Sequence, residues 1–328
     1  MTVYLVISVD LETPQTPLRQ GLLRAECLDP VIGETTYGYS YILRVLDRFQ
    51  VPGVFFVNVY EAALWGDKRL QQICKDIYET GSEIGLHTHP EWRYDPTRIH
   101  MWQYSREEQI QIITDGLKLI QQWLPGYQVI SHRAGAYGIN EDTIESLRLV
   151  NIPVDSSMFY GHPNCKAIWR KNQMAASQGI LEIPVTGYER HRHVTFGGIT
   201  VHSQQTFSKT DVNWASLDEL LFFLEEAKRN DIRVFNLFMH SYSFVRFNSD
   251  STHLEPNHPE MEKFEQFLAL ALSDPEIRVV TMRDLYELCR QDTNSLLGGA
   301  DYVPVYRQKT RLRDQARQVL RRRWESLW

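Results

Sequence analysis

The sequence contains few cysteines, no surplus of basic residues and no long hydrophobic run. Its four cysteines are far apart and form no CxxC pair, so neither a zinc knuckle nor a dense disulfide framework is indicated. The 35 Lys and Arg residues are outnumbered by 41 Asp and Glu residues, which argues against a nucleic-acid partner. No stretch approaches the roughly 18 apolar residues of a membrane span. Because 43% of the 328 residues are hydrophobic, we expect a soluble globular protein.

The first residues also lack the features of a secretion signal. Met1 leads directly into the apolar run of residues 3–7, with no basic segment, no longer apolar segment and no small-residue cleavage site. We therefore expect a cytoplasmic protein whose thiols are reduced.

Short apolar runs alternate with helical patterns along the chain. Continuous apolar runs, of the kind that parallel sheets bury on both faces, occupy residues 3–9, 54–57, 234–238 and 277–280. Apolar residues recur at helical spacing in residues 42–49, 70–77, 110–120, 217–224 and 264–271. This alternation predicts an α/β fold with a parallel sheet.

Polar side chains suited to catalysis follow five of the predicted strands: Asp10 and Glu12, His87 and His89, Arg133, Asp155, and His240. Active sites of α/β barrels lie at the C-terminal ends of the strands, so five such ends fit a barrel better than an open sheet. We predict a distorted, TIM-like parallel β/α barrel of seven or eight strands in residues 1–290, followed by a tail in residues 291–328. Long loops are expected at residues 13–36, 91–105 and 190–209.

Two of these clusters place metal-binding side chain types at positions i and i+2. Asp10 and Glu12 form one pair, and His87 and His89 form the other. Side chains two apart on an extended strand lie on the same face, so each pair points toward one place. Imidazole and carboxylate suit zinc and similar ions, and a catalytic zinc takes three protein ligands and a water. The pattern therefore predicts a divalent metal site.

Several segments resemble, in order, those of the polysaccharide deacetylases, metal-dependent carbohydrate esterases that remove acetyl groups from glycans. The segments are residues 7–12 (ISVDLE), 42–58, 81–90 (GSEIGLHTHP), 133–138 (RAGAYG), 155–157 (DSS) and 238–241 (FMHS). The resemblance covers residues 1–290. The sequence departs from the common family pattern in its Asp-x-Glu acid pair and in histidines that are two rather than four residues apart.

The resemblance implies one divalent ion, with zinc as the first candidate, held by Glu12, His87 and His89. The altered histidine spacing leaves a second candidate for the third ligand, because Glu91 lies four residues after His87. The ion would lower the pKa of a water molecule and polarise the acetyl carbonyl.

The resemblance also implies roles for five other residues. Asp10 would be the general base and His240 the general acid. Arg133 would pair with Asp10, and Asp155 would orient His240. A backbone N–H at Tyr137 would stabilise the oxyanion.

Two further groups of residues have competing interpretations. His191 and His193 form a second His-x-His pair, but they precede a Gly-Gly turn, so a surface or substrate contact is favoured over metal binding. Trp92, Tyr94 and Trp102 could stack on sugar rings, or they could pack their loop onto the barrel.

The C-terminal tail is rich in arginine. In residues 306–328, apolar residues at helical spacing accompany eight basic residues: Arg307, Lys309, Arg311, Arg313, Arg317, Arg321, Arg322 and Arg323. We predict a basic amphipathic helix, which would contact an anionic membrane surface, dock on the barrel, or contact a second subunit in a homo-oligomer.

The expected function is removal of an N-acetyl group from an amino sugar in a cell-surface glycan or its precursor. One alternative is an allantoinase-like cyclic amidase of the same superfamily, and another is a non-catalytic glycan-binding homologue. An amidohydrolase barrel is disfavoured, because its His-x-His pair should end the first strand, where Asp10 and Glu12 lie here.

Overall fold

The computed structural model describes residues 2–14, 28–196, 199–247, 254–292, 296–297, 299 and 301–311. The strands are β1 (Val3–Leu11), β2 (Val31–Ile32), β3 (Thr35–Thr36), β4 (Val54–Asn58), β5 (Glu83–Thr88), β6 (Ser131–Ala134), β7 (Val154–Asp155), β8 (Ala175–Ser177), β9 (Ile180–Glu182), β10 (Gly187–Phe196), β11 (Ile199–Lys209), β12 (Val234–His240), β13 (Val245–Phe247), β14 (Leu254–Pro256), β15 (Ile277–Val279) and β16 (Val305–Arg311). The α-helices are α1 (Tyr39–Phe49), α2 (Ala62–Trp65), α3 (Asp67–Glu79), α4 (Arg106–Trp123), α5 (Glu141–Leu149), α6 (Leu217–Arg229), α7 (His258–Leu272) and α8 (Met282–Gln291).

The main sheet is a curled array of parallel strands in the order β12-β1-β4-β5-β6-β7-β9, with β8 antiparallel at one edge and β15 beside the start of β1. Thr210 lies between the two ends of this array. Its N–H donates to the carbonyl of Thr186 at 3.0 Å, and its own carbonyl accepts from the N–H of Phe238 at 2.8 Å. The predicted distorted β/α barrel is confirmed.

Alternate residues of β1 belong to two different hydrophobic clusters, as the two-residue period of a strand requires. Leu5 and Ile7 pack in the larger cluster, which includes the residues that the surrounding helices bury. Val6 packs in the smaller cluster with Val54 and Val234 of the neighbouring strands and with residues of α8. The smaller cluster fills the end of the barrel that is opposite the polar strand ends.

The predicted helical segments are helices, but one predicted loop is not a loop. Residues 190–209 lie mostly in the antiparallel pair β10–β11. Of the predicted loop at residues 13–36, residues 15–27 lie outside the described residues.

The first residues of the predicted tail helix form a strand instead of a helix. Residues 306–311 belong to β16, which pairs in parallel with β10. The ring of Tyr306 packs edge-on against Phe222 of α6, with ring centroids 5.2 Å apart. The edge of β10 supplies backbone hydrogen-bond partners to these residues, which precede the apolar positions at helical spacing that begin at Leu312. Residues 312–328 lie outside the described part of the chain.

None of the helices in the described ranges is both long enough and apolar enough to cross a membrane.

Candidate active site

The inner face of β1 changes from apolar to polar toward the C-terminal end of the strand. Val6 lies in the hydrophobic interior, Ser8 donates through its hydroxyl to Oδ1 of Asn236 at 2.7 Å, and Asp10 follows two residues later. In the adjacent strand β12, His240 is the register partner of Asp10. The two-residue period of parallel strands therefore brings these side chains to one mouth of the barrel.

Glu12, His87 and His89 meet at this mouth. The Nε2 atoms of His87 and His89 lie 3.4 and 2.7 Å from Oε2 of Glu12. One ligand-type atom from each residue lies within 4.8 Å of the others, and all three residues are buried. No second group of three or more His, Cys, Asp or Glu side chains converges in this way among the residues that the structure describes.

The other nitrogen of each imidazole is held by a separate partner. Nδ1 of His87 lies 2.8 Å from the carbonyl oxygen of Arg133. A carbonyl oxygen can only accept a hydrogen bond, so Nδ1 is the donor. Nδ1 of His89 lies 3.1 Å from Oε1 of Glu91. These contacts orient both Nε2 atoms toward Glu12, as outer partners of metal-binding histidines commonly do. Of the two candidates for the third ligand, the geometry favours Glu12, and Glu91 supports His89 from behind.

The donor set fits a divalent cation such as zinc. Burial alone would raise the pKa of Glu12, but the charge of His89 and hydrogen bonds from both imidazoles hold that pKa well below its usual value. The buried Glu12 carboxylate needs a positive charge beside it, and a divalent ion held by neutral imidazoles would take over the compensation that the charge of His89 provides. Two imidazole nitrogens and one carboxylate oxygen also leave room for water or substrate in a tetrahedral arrangement.

Asp10 forms the expected ion pair with Arg133. Nη1 of Arg133 lies 2.8 Å from Oδ1 of Asp10, and the Arg133 side chain is fully buried. The same guanidinium donates to Oγ of Ser8 and to the carbonyl and hydroxyl oxygens of Ser156. Burial alone would raise the pKa of Asp10. The charges of Arg133 and the neighbouring imidazoles outweigh burial, so the pKa lies below its ordinary value. Asp10 is thus an ionised group able to accept a proton.

His240 reaches the same mouth from the other side of Glu12. Its Nε2 lies 3.6 Å from Oε1 of Glu12, and its ring stacks on Tyr242 with centroids 4.7 Å apart. The side chain keeps 23% of its surface exposed, so it faces the space a substrate would enter. Burial, followed by the charge of Lys209, lowers the pKa of His240.

The expected pairing of Asp155 with His240 is wrong. Oδ1 of Asp155 lies 2.7 Å from Nδ1 of His132 and accepts from the hydroxyl of Ser157 at 2.8 Å. Asp155 ends β7, which adjoins β6, whereas His240 ends β12 near the opposite end of the sheet. Asp155 therefore supports the neighbouring strand from within the barrel.

A tight turn follows β6 and presses on the metal-ligand candidates. Ala136 and Tyr137 have φ angles of 49° and 59°, a left-handed conformation that costs residues with a Cβ free energy. A Cβ on Gly135 would lie 2.5 Å from the ring of His89, so only glycine allows the turn to pack there. The backbone of the turn is thus held against the site.

The aromatic residues proposed for sugar binding have different surroundings. Tyr94 donates to Oδ2 of Asp115 on α4 at 2.9 Å, which favours the packing interpretation for this residue. Trp102 stacks on His100 and has the ammonium of Lys166 3.0 Å from its ring centroid. Trp92 is partly buried against the hydrophobic core.

The second histidine pair, His191 and His193, lies on β10 and is not part of the group formed by Glu12, His87 and His89. Nε2 of His191 lies 2.9 Å from Oε2 of Glu189, and the rings of His191 and His193 are 6.5 Å apart. Both residues belong to the antiparallel pair β10–β11.

Sequence reasoning missed several residues that support the site. Ser8 and Ser156 hold Arg133, and the charges of Lys209 and Asp211 act on His240. Ser8 could have been found from the sequence, because it lies two residues before Asp10 on the same strand and therefore on the same face. Lys209 and Asp211 come from the end of the hairpin, and no local pattern connects them with the strands.

Residues 33–154 match the family model described as polysaccharide deacetylase. The fold is similar to that of a Mycobacterium smegmatis protein proposed to be a polysaccharide deacetylase, with a TM-score of 0.60 and 16% identity, covering 89% of this chain and 91% of that one. The Puue allantoinase gives a TM-score of 0.57 at 10% identity, covering 89% and 90%. A Pseudomonas aeruginosa PAO1 protein, also proposed to be a polysaccharide deacetylase, gives 0.56 at 11% identity, covering 89% and 91%. Among curated protein sequences, none matches the chain.

The fold and the site define a β/α-barrel protein with converging carboxylate and imidazole groups at the C-terminal strand ends. The polysaccharide deacetylase model matches residues 33–154 of this chain, and the solved structures named above share its fold.

Proposed function

We propose that this protein is a metal-dependent hydrolase that removes the N-acetyl group from an amino sugar in a cell-surface glycan or its precursor. The observation that carries the proposal is the convergence of Glu12, His87 and His89 beside the buried Asp10–Arg133 ion pair. A polysaccharide deacetylase needs a cation site and a base within reach of the same water molecule, and the closeness of these two groups of side chains supports the proposal.

Glu12, His87 and His89 would hold one divalent ion, with zinc as the first candidate. When bound, such an ion polarises a carbonyl oxygen and makes a water molecule easier to deprotonate. The role of the three side chains is to fix the ion beside Asp10, since Oδ2 of Asp10 lies 3.7 Å from Nε2 of His87.

The two oxygens of Asp10 have separate partners, which suits a general base. Oδ1 is held by Arg133, while Oδ2 faces the imidazole of His87. Oδ2 is therefore the atom that would accept a proton from the attacking water. The water oxygen forms the new bond to the acetyl carbon, the carbon–nitrogen bond breaks, and acetate and a free amine result.

His240 is placed to deliver a proton to the departing nitrogen. It lies across Glu12 from the histidine pair and is partly exposed, so its ring borders the space between the barrel mouth and solvent. The turn at Tyr137 would offer a backbone N–H to the developing oxyanion. Asp155 acts at a distance in this proposal, through His132 and the strand that carries Arg133.

The sugar would be recognised at the rim of the barrel. Trp102 is half-buried and packs on His100, and Trp92 lies next to the histidine pair in sequence. An aromatic face and the nearby Lys166 ammonium suit a hydroxyl-rich ring.

The similarity of the fold to that of an allantoinase supports a second candidate function, hydrolysis of a cyclic amide. A cyclic amidase would use the same groups to hydrolyse a ring amide. The rim residues Trp102 and Lys166 favour a sugar over a small closed substrate.

One experiment separates these functions. Zinc-loaded protein is incubated with N-acetylglucosamine oligosaccharides and, separately, with allantoin, and acetate release and ring opening are measured. Acetate from the oligosaccharides supports the proposal. Ring opening without acetate selects the cyclic amidase, and neither reaction in fully loaded protein selects a non-catalytic glycan-binding homologue.

We also propose a cytoplasmic location with peripheral contact to the inner membrane surface. Cys74, Cys165 and Cys289 are buried free thiols, which suits a reducing compartment. The strand β16 leads into the arginine-rich residues 312–328, whose charge suits anionic lipid.

A further inference from the structure

Lys209 is a buried lysine at the end of β11, and its ammonium group lies inside the barrel mouth. The side chain is 5% exposed. Nζ lies 3.1 Å from Oδ2 of Asp211 and donates to the hydroxyl of Tyr137 at 2.8 Å. The same nitrogen lies 3.3 Å from the ring centroid of Phe238, the residue two before His240. A buried ammonium with a carboxylate, a hydroxyl and an aromatic face around it is fixed in one position.

The Tyr137 hydroxyl connects this ammonium to the strained turn. Tyr137 and Ala136 both have positive φ, so the turn needs support from outside its own backbone. The Tyr137 ring packs edge-on against Phe159 and His162, and its only described hydrogen-bond donor is Lys209. At its other end the turn touches the ring of His89 through Gly135.

We propose that Lys209 is a positioning residue, whose ammonium, held by Asp211, fixes the Tyr137 hydroxyl and thereby holds the Gly135–Tyr137 turn against the ring of His89. The chain of contacts runs from Asp211 through Lys209 and Tyr137 to a metal-ligand candidate. The contact between Lys209 and Tyr137 is not local in sequence, since the two residues lie 72 positions apart.

The consequence for catalysis rests on the proposed function, because the turn carries the backbone N–H that would face the oxyanion. The positioning itself does not depend on that function. Loss of the Lys209–Tyr137 hydrogen bond should loosen the turn whether or not the protein turns over any substrate.

Tyr137→Phe is the cleanest variant, because it removes the hydroxyl and keeps the ring. Lys209→Met removes the ammonium and keeps most of the side-chain volume, and the double variant removes both partners. Tyr39→Phe and Lys228→Met are matched controls, because Tyr39 donates to Asp76 at 2.7 Å and Lys228 pairs with Asp274 at 2.6 Å, both outside the site.

Amide hydrogen exchange of zinc-loaded protein is followed by mass spectrometry in peptides covering residues 133–140. Exchange there should be about tenfold faster or more in Tyr137→Phe, the size expected for losing a hydrogen bond to a charged group. The double variant should exchange no faster than the faster single variant, because each substitution breaks the same bond. Peptides of β1 and both controls should match the wild type.

The kinetics of acetate release add a second measurement, which separates loss of positioning at the turn from a general loss of rigidity. In Tyr137→Phe, kcat should fall by about tenfold while KM stays within about twofold, as expected for a group that acts on the transition state. Unchanged exchange at residues 133–140 in Tyr137→Phe would overturn the proposal, and so would equal acceleration in β1. If Lys209→Met does not fold, Tyr137→Phe decides alone. Faster exchange at the turn in a protein without acetate release would uphold the positioning and reject the proposed function.

Discussion

Nη1 of Arg133 and Oδ1 of Asp10 lie 2.8 Å apart in a buried ion pair that joins β6 to β1. The pair leaves Oδ2 of Asp10 facing His87 at 3.7 Å. One contact thus fixes the rotamer of the proposed base, keeps it ionised and directs its second oxygen to the place where water would be bound.

Asp10→Asn should abolish turnover and leave metal binding largely intact. The amide has nearly the shape of the carboxylate but cannot accept a proton, and loss of a general base commonly costs 10²–10⁴-fold in rate. Glu12→Gln should instead weaken zinc binding, because it removes the only carboxylate of the ligand group. Acetate release and metal analysis of both purified variants measure the two effects. If Asp10→Asn lost the metal and Glu12→Gln kept it without activity, the two roles would have to be exchanged.

Arg133→Met should destabilise the fold. Asp10 would remain buried without its cationic partner, and breaking a buried ion pair from one side typically costs about 3–5 kcal/mol. Urea unfolding, followed by circular dichroism, gives the change in the free energy of unfolding. Arg148→Met is the control, since Arg148 forms an exposed ion pair with Glu145 and should unfold like the wild type. Equal stability of both variants would show that the Asp10–Arg133 pair is unimportant for folding.

Gly135→Ala should weaken metal binding by about 10- to 100-fold, the range seen when support around a metal ligand is disturbed. The added Cβ would lie 2.5 Å from the His89 ring, which must then move. Ala136→Gly is the neighbouring control. It relieves the left-handed strain of about 1–2 kcal/mol at φ 49° but makes the unfolded chain more flexible, so its stability should change little. Zinc titration with a competing chelator measures both affinities, and equal affinities would contradict the close packing of the turn on His89.

The parallel barrel and the polar strand ends could be predicted from the sequence, because they follow local rules. The apolar runs at residues 3–9 and 234–238 are β1 and β12, and the i, i+2 spacing of His87 and His89 predicted their convergence. The pairing of Asp10 with Arg133 was expected from the family resemblance, and the structure contains it.

Contacts between distant strands and the hairpin could not be predicted in this way. Asp155 was assigned to His240 from the family resemblance, but the strand order makes His132 its neighbour. Residues 306–311 were included in the predicted tail helix, whose helical spacing begins at Leu312, yet they pair with the edge of β10 as a strand. The local sequence pattern does not show which strand has an unpaired edge that another segment can join.

The strand β16 also changes how the membrane prediction must be tested. Truncation after Arg311 keeps β16 paired with β10, whereas a cut at Val305 would remove a strand of the sheet. The full chain should sediment with anionic vesicles at low salt and much less at high salt, because each basic residue near the surface contributes about 1 kcal/mol that salt screens. The chain ending at Arg311 should stay in the supernatant and keep its activity on a small soluble acetamide. Equal sedimentation of the two chains would remove the membrane hypothesis.

The most direct test of a metal-dependent deacetylase is acetate release against equivalents of zinc added to chelator-treated protein. The wild type should release acetate from N-acetylglucosamine oligosaccharides in proportion to added zinc and saturate at one equivalent, because one ligand group is formed by Glu12, His87 and His89. The His191→Ala/His193→Ala double variant should behave like the wild type, whereas the His87→Ala/His89→Ala double variant should bind no zinc at the site and release no acetate. Full activity in the chelator-treated protein, or in the His87→Ala/His89→Ala variant, would contradict the account.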